Sequence, residues 1–214
     1  TERQTVWTAV SRAIRSPSLA EDDIRINQPT GRRPLVVVQG NRGFGNEKLL
    51  AYEAGYRNQM TQALSVDLAT FYNSYKDLRT LEPGPAFAET TPAPTHTVVP
   101  LNAGNQLRGE TYGIEAAVEW RPVEWWRIQP SYTYLRMHVF TDRSADVNAG
   151  NVTGENPAHQ LSVRSLMSLP HKTELDLWAR YMDQLTALKV PSYVTLDARL
   201  GWKPTPRLEL SLVG

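Results

Sequence analysis

Apolar and polar residues alternate along residues 110–134, on both sides of a tight connection at residues 121–124. Because successive side chains of a β-strand point to opposite faces, this period of two predicts an antiparallel pair of strands with one apolar and one polar face. The arm formed by residues 112–120 would span roughly 30 Å at about 3.3 Å per residue. A tilted strand of that length crosses an apolar band about 25 Å tall, whereas soluble strands usually have about five or six residues.

Aromatic residues mark both ends of this hairpin. Trp120, Trp125 and Trp126 crowd the connection, and Tyr132 and Tyr134 lie toward the far end of the second arm. Tryptophan and tyrosine concentrate where a bilayer meets water. The hairpin is therefore predicted to cross a membrane, with its aromatic rings at the level of the headgroups.

The same alternation recurs along the chain. Further strands are predicted at residues 5–15, 49–60, 63–78, 160–169, 174–181, 194–203 and 208–212, and the first hairpin strand is predicted to begin near His96. The connections alternate in length: residues 16–46, 81–95 and 141–157 are long and 183–191 are of medium length, whereas 58–62, 121–124, 170–172 and 204–206 are short. An antiparallel meander would place all the short turns on one side, as in an outer-membrane β-barrel. The predicted fold class is all-β, a transmembrane antiparallel meander with about nine or ten strands of a larger barrel.

Composition is compatible with this fold and excludes several functions. No apolar run reaches the roughly 18 residues of a membrane helix, and the mean hydropathy of -0.43 is expected when polar residues alternate with apolar ones. A net charge of +1 gives no basic surface for nucleic acid. The chain has no cysteine, no Gly-x-Ser-x-Gly motif and no clustered histidines. We therefore expect that it is not an enzyme and that it has neither a metal site nor a cofactor.

Several segments resemble the barrel of TonB-dependent outer-membrane receptors. They are the run VWTAVSRAIRSPS at residues 6–18, Gly40-Asn41 followed by EKL at 47–49 and AYEAGYR at 51–57, and NAG at 102–104 followed by RGE at 108–110 and YGIE at 112–115. The resemblance covers nearly the whole chain, and the order and spacing of the motifs make it fairly specific.

This resemblance implies a bacterial outer-membrane barrel of about 22 strands, plugged by an amino-terminal domain. Such a receptor binds a scarce nutrient outside the cell, typically an iron–siderophore complex or cobalamin, and imports it with energy from a TonB complex. Residues 1–214 are expected to form part of the barrel domain, without the plug, the TonB-contacting segment or the final strand. The implied partners are outer-membrane lipid, the protein's own plug, the TonB complex and a metal chelate or other small molecule, but not nucleic acid.

Two alternatives share parts of the pattern. A passive porin has the same strands without a plug and would conduct ions with no energy source. A soluble β-sandwich binding module would pack the apolar faces together in water, although it has no reason to sort its loops by length.

Candidate functional residues fall into two groups. The polar face carries charges that either hold the plug or simply make the interior polar; these residues are Glu53, Arg57, Asp67, Glu115, Glu119, Arg127, Arg164, Asp176, Arg180, Asp197 and Arg199, together with Trp178, which we expect to pack on the plug. In the first long loop, Arg32, Arg33 and Arg42 either attract an anionic ferric complex or are simply solvated. Pro130 lies within a predicted strand, where we expect a local bulge because proline donates no ladder hydrogen bond.

Overall fold

A computed structural model describes residues 3–28, 34–91 and 93–214. Its strands are β1 (Gln4–Arg15), β2 (Arg25–Gln28), β3 (Leu35–Gln39), β4 (Glu47–Gln59), β5 (Leu64–Pro83), β6 (Phe87–Glu89), β7 (His96–Val123), β8 (Trp126–Phe140), β9 (His159–Leu169), β10 (Thr173–Met182), β11 (Tyr193–Thr205) and β12 (Leu208–Val213). Helix α1 (Leu19–Asp23) follows β1, and a 3-10 helix (Ala149–Gly154) precedes β9. No helix among the described residues is long and apolar enough to cross a membrane.

Nine of the strands form one continuous path. Their order is β1-β4-β5-β7-β8-β9-β10-β11-β12, and each neighbouring pair is antiparallel. This arrangement confirms the predicted all-β antiparallel meander. The described strands belong to one sheet rather than two packed sheets, so the β-sandwich alternative is wrong.

The connections along this path alternate between the two ends of the sheet. Short turns join β4 to β5, β7 to β8, β9 to β10 and β11 to β12, and the longer connections lie at the opposite end. In outer-membrane barrels the short turns are periplasmic and the long loops are extracellular. We call the two ends the turn end and the loop end.

The long loops contain more regular structure than their composition indicated. The segment predicted as a loop at residues 16–46 contains α1, β2 and β3, and β3 pairs in parallel with the first part of β7. Strand β5 continues to Pro83 and pairs there with β7, and β6 adds a further pair. These strands were not predicted from the sequence, because the apolar run in β3 finds a partner strand distant in sequence.

The well-buried apolar side chains lie mainly in this loop-end assembly. Val37 and Val98 are fully buried, and Phe44 and Leu107 are nearly so. A single-layered barrel wall has lipid on one side and its lumen on the other, so it encloses few side chains. The loop-end assembly thus forms a small apolar core of its own at one end of the sheet.

Pro130 does not produce the bulge that the sequence predicted. It pairs with Val163 of β9, and the β7–β8 register is the same before and after it, from Ala117 opposite Ser131 to Trp120 opposite Ile128. The irregularity of this hairpin lies instead between Trp120 and Val123, next to the turn. The strand therefore accommodates the missing N–H donor of proline without a change in register.

Candidate functional site: the polar face and the loop end

The predicted polar-face residues share one face of the sheet. Residues that oppose each other across paired strands point to the same side, and one such row runs from Arg57 through Asp67, Ala117 and Ser131 toward Arg180. Alternation along each strand places the other candidates on this face: Glu53, Glu115, Glu119, Arg127, Arg164, Trp178, Asp197 and Arg199. We call this the inner face.

The opposite face is apolar and exposed. Leu68 near the middle of β5 is 42% exposed, and Leu196 of β11 is 66% exposed. Both face away from the ion-paired residues, as the register requires. A continuous exposed apolar surface of this kind needs an apolar environment, and we call it the outer face.

Ion pairs cross between neighbouring strands on the inner face. The Arg57 guanidinium donates from Nε to the Asp67 carboxylate at 2.7 Å, and Arg180 forms an ion pair with Asp197. The Arg180 guanidinium also lies 4.2 Å from the centre of the Trp178 ring. The two ion pairs thus link charged side chains on neighbouring strands of the inner face.

Trp178 has a polar anchor as well as the cation above its ring. Its Nε1–H donates a hydrogen bond of 2.6 Å to Ser162 Oγ on β9, and the residue remains 39% exposed. Because Trp178 belongs to the inner face, its exposed part lies on the lumen side. Whether it contacts a plug, as the sequence led us to expect, stays a prediction.

A second cluster near the turn end centres on Arg199. Its guanidinium lies 3.2 Å from Glu174 on β10 and 2.6 Å from Glu209 on β12, and Lys203 lies 2.9 Å from Glu174. We did not single out Glu174, Lys203 and Glu209 from the sequence. Alternation places these three residues on the same face as Asp176 and Arg199, so the sequence pattern could have identified them as inner-face residues.

Some inner-face charges have no partner of opposite charge. Within the described residues, Glu53, Glu115 and Arg127 form no ion pair within 4.0 Å. Glu53 and Glu115 line an open concavity of about 430 Å³, together with Trp7 and Phe71. These two aromatic residues were not predicted as site residues, although both stand on the polar side of their strands.

A second concavity of about 560 Å³ lies nearer the turn end. It is lined by Arg57, Glu119, Arg164 and Trp178, among others. The inner face thus presents charged groups and aromatic rings side by side, which suits contact with another protein surface or a polar ligand. No group of three or more His, Cys, Asp or Glu side chains among residues 3–28, 34–91 and 93–214 could hold a metal ion.

A buried carboxylate at the loop end connects α1 with the end of β1. Glu21 accepts hydrogen bonds from the Ser18 N–H and Oγ–H, both at 2.7 Å, and lies 2.9 Å from the Arg15 guanidinium. Arg15 also contacts Glu47 at 2.6 Å. Hydrogen bonds from Arg15 and Ser18 lower the pKa of Glu21 to about 2.

The loop arginines have different positions. Arg42 is exposed and donates to Asp23 at 2.8 Å, so part of its charge is neutralised. Arg32 and Arg33 lie outside the described residues. A role of the three in attracting a ligand stays a prediction.

An outer apolar face, an inner charged face and loops sorted by length together define the wall of a membrane-spanning β-barrel. A sequence model of the family described as TonB dependent receptor-like, beta-barrel, matches residues 1–214. The chain belongs to this family, which confirms the resemblance noted in its motifs. Members of this family are outer-membrane proteins, which confirms the predicted location.

The relatives of this chain are receptors. The pesticin receptors of Yersinia enterocolitica and Yersinia pestis are 27% identical over 176 residues, which is 79% of this chain and 24% of theirs. The chain thus spans about a quarter of the length of the curated relatives that it matches. Membership of a receptor family agrees with the expectation that the chain is not an enzyme.

Solved structures share the fold. The siderophore receptor PirA from Acinetobacter baumannii superposes with a TM-score of 0.76 at 16% identity, over 100% of this chain and 34% of that one. The ferric yersiniabactin uptake receptor FyuA from Yersinia pestis gives 0.62 at 20% identity, over 100% of this chain and 29% of that one. The strand path described above is therefore a recurring part of such barrels.

Proposed function

We propose that this chain forms part of the barrel wall of an outer-membrane receptor that takes up an iron–siderophore complex with energy from TonB. In this proposal a plug domain closes the lumen, the extracellular loops and the plug bind the ligand, and the wall supplies the conduit. Membership of the TonB-dependent receptor family supports it. Residues 1–214 would then be one part of a larger barrel domain.

The observation that carries the proposal is the composition of the inner face. Glu53 and Glu115 lie unpaired beside Trp7, which is 36% exposed, and Phe71. A water-filled pore gains little from exposed aromatic rings, whereas a protein surface packed on them buries apolar area. The unpaired carboxylates would accept lysine or arginine side chains from the plug, so the inner face is complementary to a globular domain rather than to bulk water.

Structures of similar fold support a ferric siderophore as the proposed ligand class. Solved proteins of the same fold include siderophore receptors and a pyoverdine receptor from Pseudomonas aeruginosa PAO1 bound to pyoverdine. Ferric siderophores are commonly anionic, and a cationic loop would raise their local concentration. Arg42, with Arg32 and Arg33, would contribute at the loop end, Arg42 less strongly because Asp23 already pairs with it.

Uptake of radioactive iron by the complete receptor tests the proposal. The full reading frame would be expressed in a strain without its own siderophore receptors, with and without a working TonB complex, and supplied with a panel of ferric siderophores. We expect uptake of at least one chelate that stops when TonB is removed. Equal uptake without TonB, together with open ion conductance in planar bilayers, would instead establish a passive pore.

A further inference from the structure

Basic residues form a belt on the outer face at the loop end of four consecutive strands of the path. Each is exposed and lies four residues from a tyrosine of the same strand and face, on the side of the tyrosine nearer the loop end. The pairs are Lys48 with Tyr52 on β4, Lys76 with Tyr72 on β5, Arg108 with Tyr112 on β7, and Arg136 with Tyr132 on β8. Four residues of strand span about 13 Å. Because tyrosines on an outer face mark the membrane interface, the belt stands at the level of the outer-leaflet headgroups.

The belt has carboxylate neighbours, but they leave positive charge uncompensated. Asp77 lies 2.7 Å from Lys48, and Asp142 lies 3.1 Å from Arg108. The outer-face carboxylate Glu110 accepts a hydrogen bond of 2.9 Å from the Tyr72 hydroxyl. Among the described residues, Lys76 and Arg136 have no carboxylate within 4.0 Å. The surplus cations therefore lie on the lipid side, away from the lumen.

A break in the sheet creates a concavity within this belt. The β5–β7 register shifts between Tyr75 and Leu78, and Asp77 at the shift has a left-handed φ of 58°. The break opens a space of about 300 Å³ lined by Lys76, Arg108 and Arg143 together with Asp77 and Asn105. We call Lys76, Arg108 and Arg143 the basic notch.

The chemistry of the basic notch selects an anion with several acceptor oxygens. Arg143 is exposed and, within the described part of the chain, forms no ion pair, so it and Lys76 are free to bind. The Arg108 guanidinium lies 4.9 Å from the centre of the Phe140 ring, a contact that fixes its position within the notch. Arginine and lysine converging on one space are a common arrangement for binding phosphate.

We infer that the basic notch binds the phosphate-bearing headgroup of a lipid in the outer leaflet. A lipid is favoured over free phosphate because the notch opens beside the outer face, where acyl chains would continue along the apolar surface below Tyr72 and Tyr112. The inference rests on the location of the barrel in the outer membrane and on no assumption about the transported ligand. It therefore stands or falls independently of TonB-driven uptake.

The test compares the complete receptor in nanodiscs of phosphatidylcholine with and without added lipid A, a bisphosphorylated glycolipid. Bound lipid is counted by native mass spectrometry, and the unfolding temperature is measured in parallel. The variant Lys76→Gln/Arg143→Gln removes the free cations of the notch. The matched control Lys172→Gln/Arg207→Gln removes the same two residue types from short turns at the opposite end.

We expect lipid A to raise the unfolding temperature of the native receptor and of the control variant. The notch variant should bind lipid A on the order of 30-fold more weakly, since each cation near a membrane surface contributes about 1 kcal/mol, and it should lose the thermal shift. The swap Lys76→Arg/Arg143→Lys should restore binding, because both charges are kept.

Three results would overturn the inference. Equal losses in the notch and control variants would indicate a nonspecific effect of net charge. An equal thermal shift from inorganic phosphate in pure phosphatidylcholine nanodiscs would indicate a simple anion site. Absence of any shift with lipid A would show that the basic notch does not bind the headgroup. None of these results bears on iron uptake, so the two proposals fail separately.

Discussion

The indole of Trp7 covers Gly55 across the β1–β4 pair. The two residues are direct partners in the register, and a Cβ on Gly55 would overlap the indole atoms Cε2 and Nε1. Phe71 covers Gly113 in the same way across β5 and β7, with its Cζ 2.7 Å from the position of a Cβ. Each glycine thus lets an aromatic ring lie flat on the inner face of the wall.

Gly55→Ala should destabilise the complete barrel by about 1–3 kcal/mol, because the added methyl forces the indole out of its position. Once the indole is removed, the same methyl should cost little: the double variant Trp7→Ala/Gly55→Ala should be nearly as stable as Trp7→Ala alone, since the indole is the obstacle. Urea unfolding of the receptor in lipid vesicles measures both. Gly150→Ala is the control, because a Cβ at Gly150 meets nothing within 4 Å.

At Gly113, removing the neighbouring aromatic ring should not make room for a methyl group. A Cβ there would overlap the backbone carbonyl oxygen of Tyr134 as well as the ring of Phe71. A backbone group in a paired strand cannot swing away, so Phe71→Ala should fail to rescue Gly113→Ala. Full recovery in the Phe71→Ala/Gly113→Ala receptor would contradict the strand spacing described here.

The outer face predicts a depth-dependent response to arginine. Leu68→Arg and Leu196→Arg should each destabilise the barrel by about 2–4 kcal/mol, the cost of a cation near the bilayer midplane. Ser74→Arg lies on the same strand and face as Leu68 but at the loop end, and there arginine should cost only about 0–1 kcal/mol. Unfolding in vesicles checks the difference. Equal costs at Leu68 and Ser74 would be incompatible with a membrane-spanning strand.

The strands of the path were predictable because lipid and lumen impose opposite demands on alternate residues. In β5, Leu68 and Asp67 follow that rule, and the rule alone places Asp67 on the inner face. Its pairing with Arg57 needed the register as well, which the turn between β4 and β5 sets. Arg199 has partners on two neighbouring strands, and a single-strand pattern gives no indication of such a cluster.

The loop end was beyond prediction for a different physical reason. The run Val36-Val37-Val38 in β3 has no alternation, because it is covered on both faces, and its parallel partner in β7 lies about sixty positions further along. Loops with many Pro, Asp and Gly residues read as irregular. The carboxylate of Glu21, buried beneath Arg15, is likewise set by tertiary contacts that sequence periodicity does not encode.

Acid should loosen the loop end through Glu21. Its pKa is lowered from 4.5 to about 2 by Arg15 and Ser18, so its contribution to stability is complete above pH 4.5 and is lost as the pH falls toward 2. Hydrogen exchange of α1 and β2 should therefore accelerate across this window. Glu21→Gln should exchange faster at neutral pH and lose this part of the pH response. An unchanged pH profile in Glu21→Gln would assign the acid sensitivity to other carboxylates.

Trp178→Ala should loosen the proposed plug. The indole is fixed by Ser162 and by the Arg180 guanidinium, so it presents a preformed apolar surface to the lumen. Loss of such an anchor at a protein interface typically costs about 2 kcal/mol. In the complete receptor, limited proteolysis should cut the plug of Trp178→Ala faster than that of the native protein, and TonB-dependent uptake should fall.

Trp178→Phe is the matched variant, because it keeps an aromatic ring but removes the Nε1–H that reaches Ser162. If the indole acts through apolar contact with the plug, Trp178→Phe should retain most of the protease resistance. If its hydrogen bond to Ser162 matters only for the wall, both variants should lower the urea midpoint of the barrel and leave plug cleavage unchanged. That second outcome would show that Trp178 is not part of the plug interface. The proposed contacts of the plug would then be Glu53, Glu115, Trp7 and Phe71.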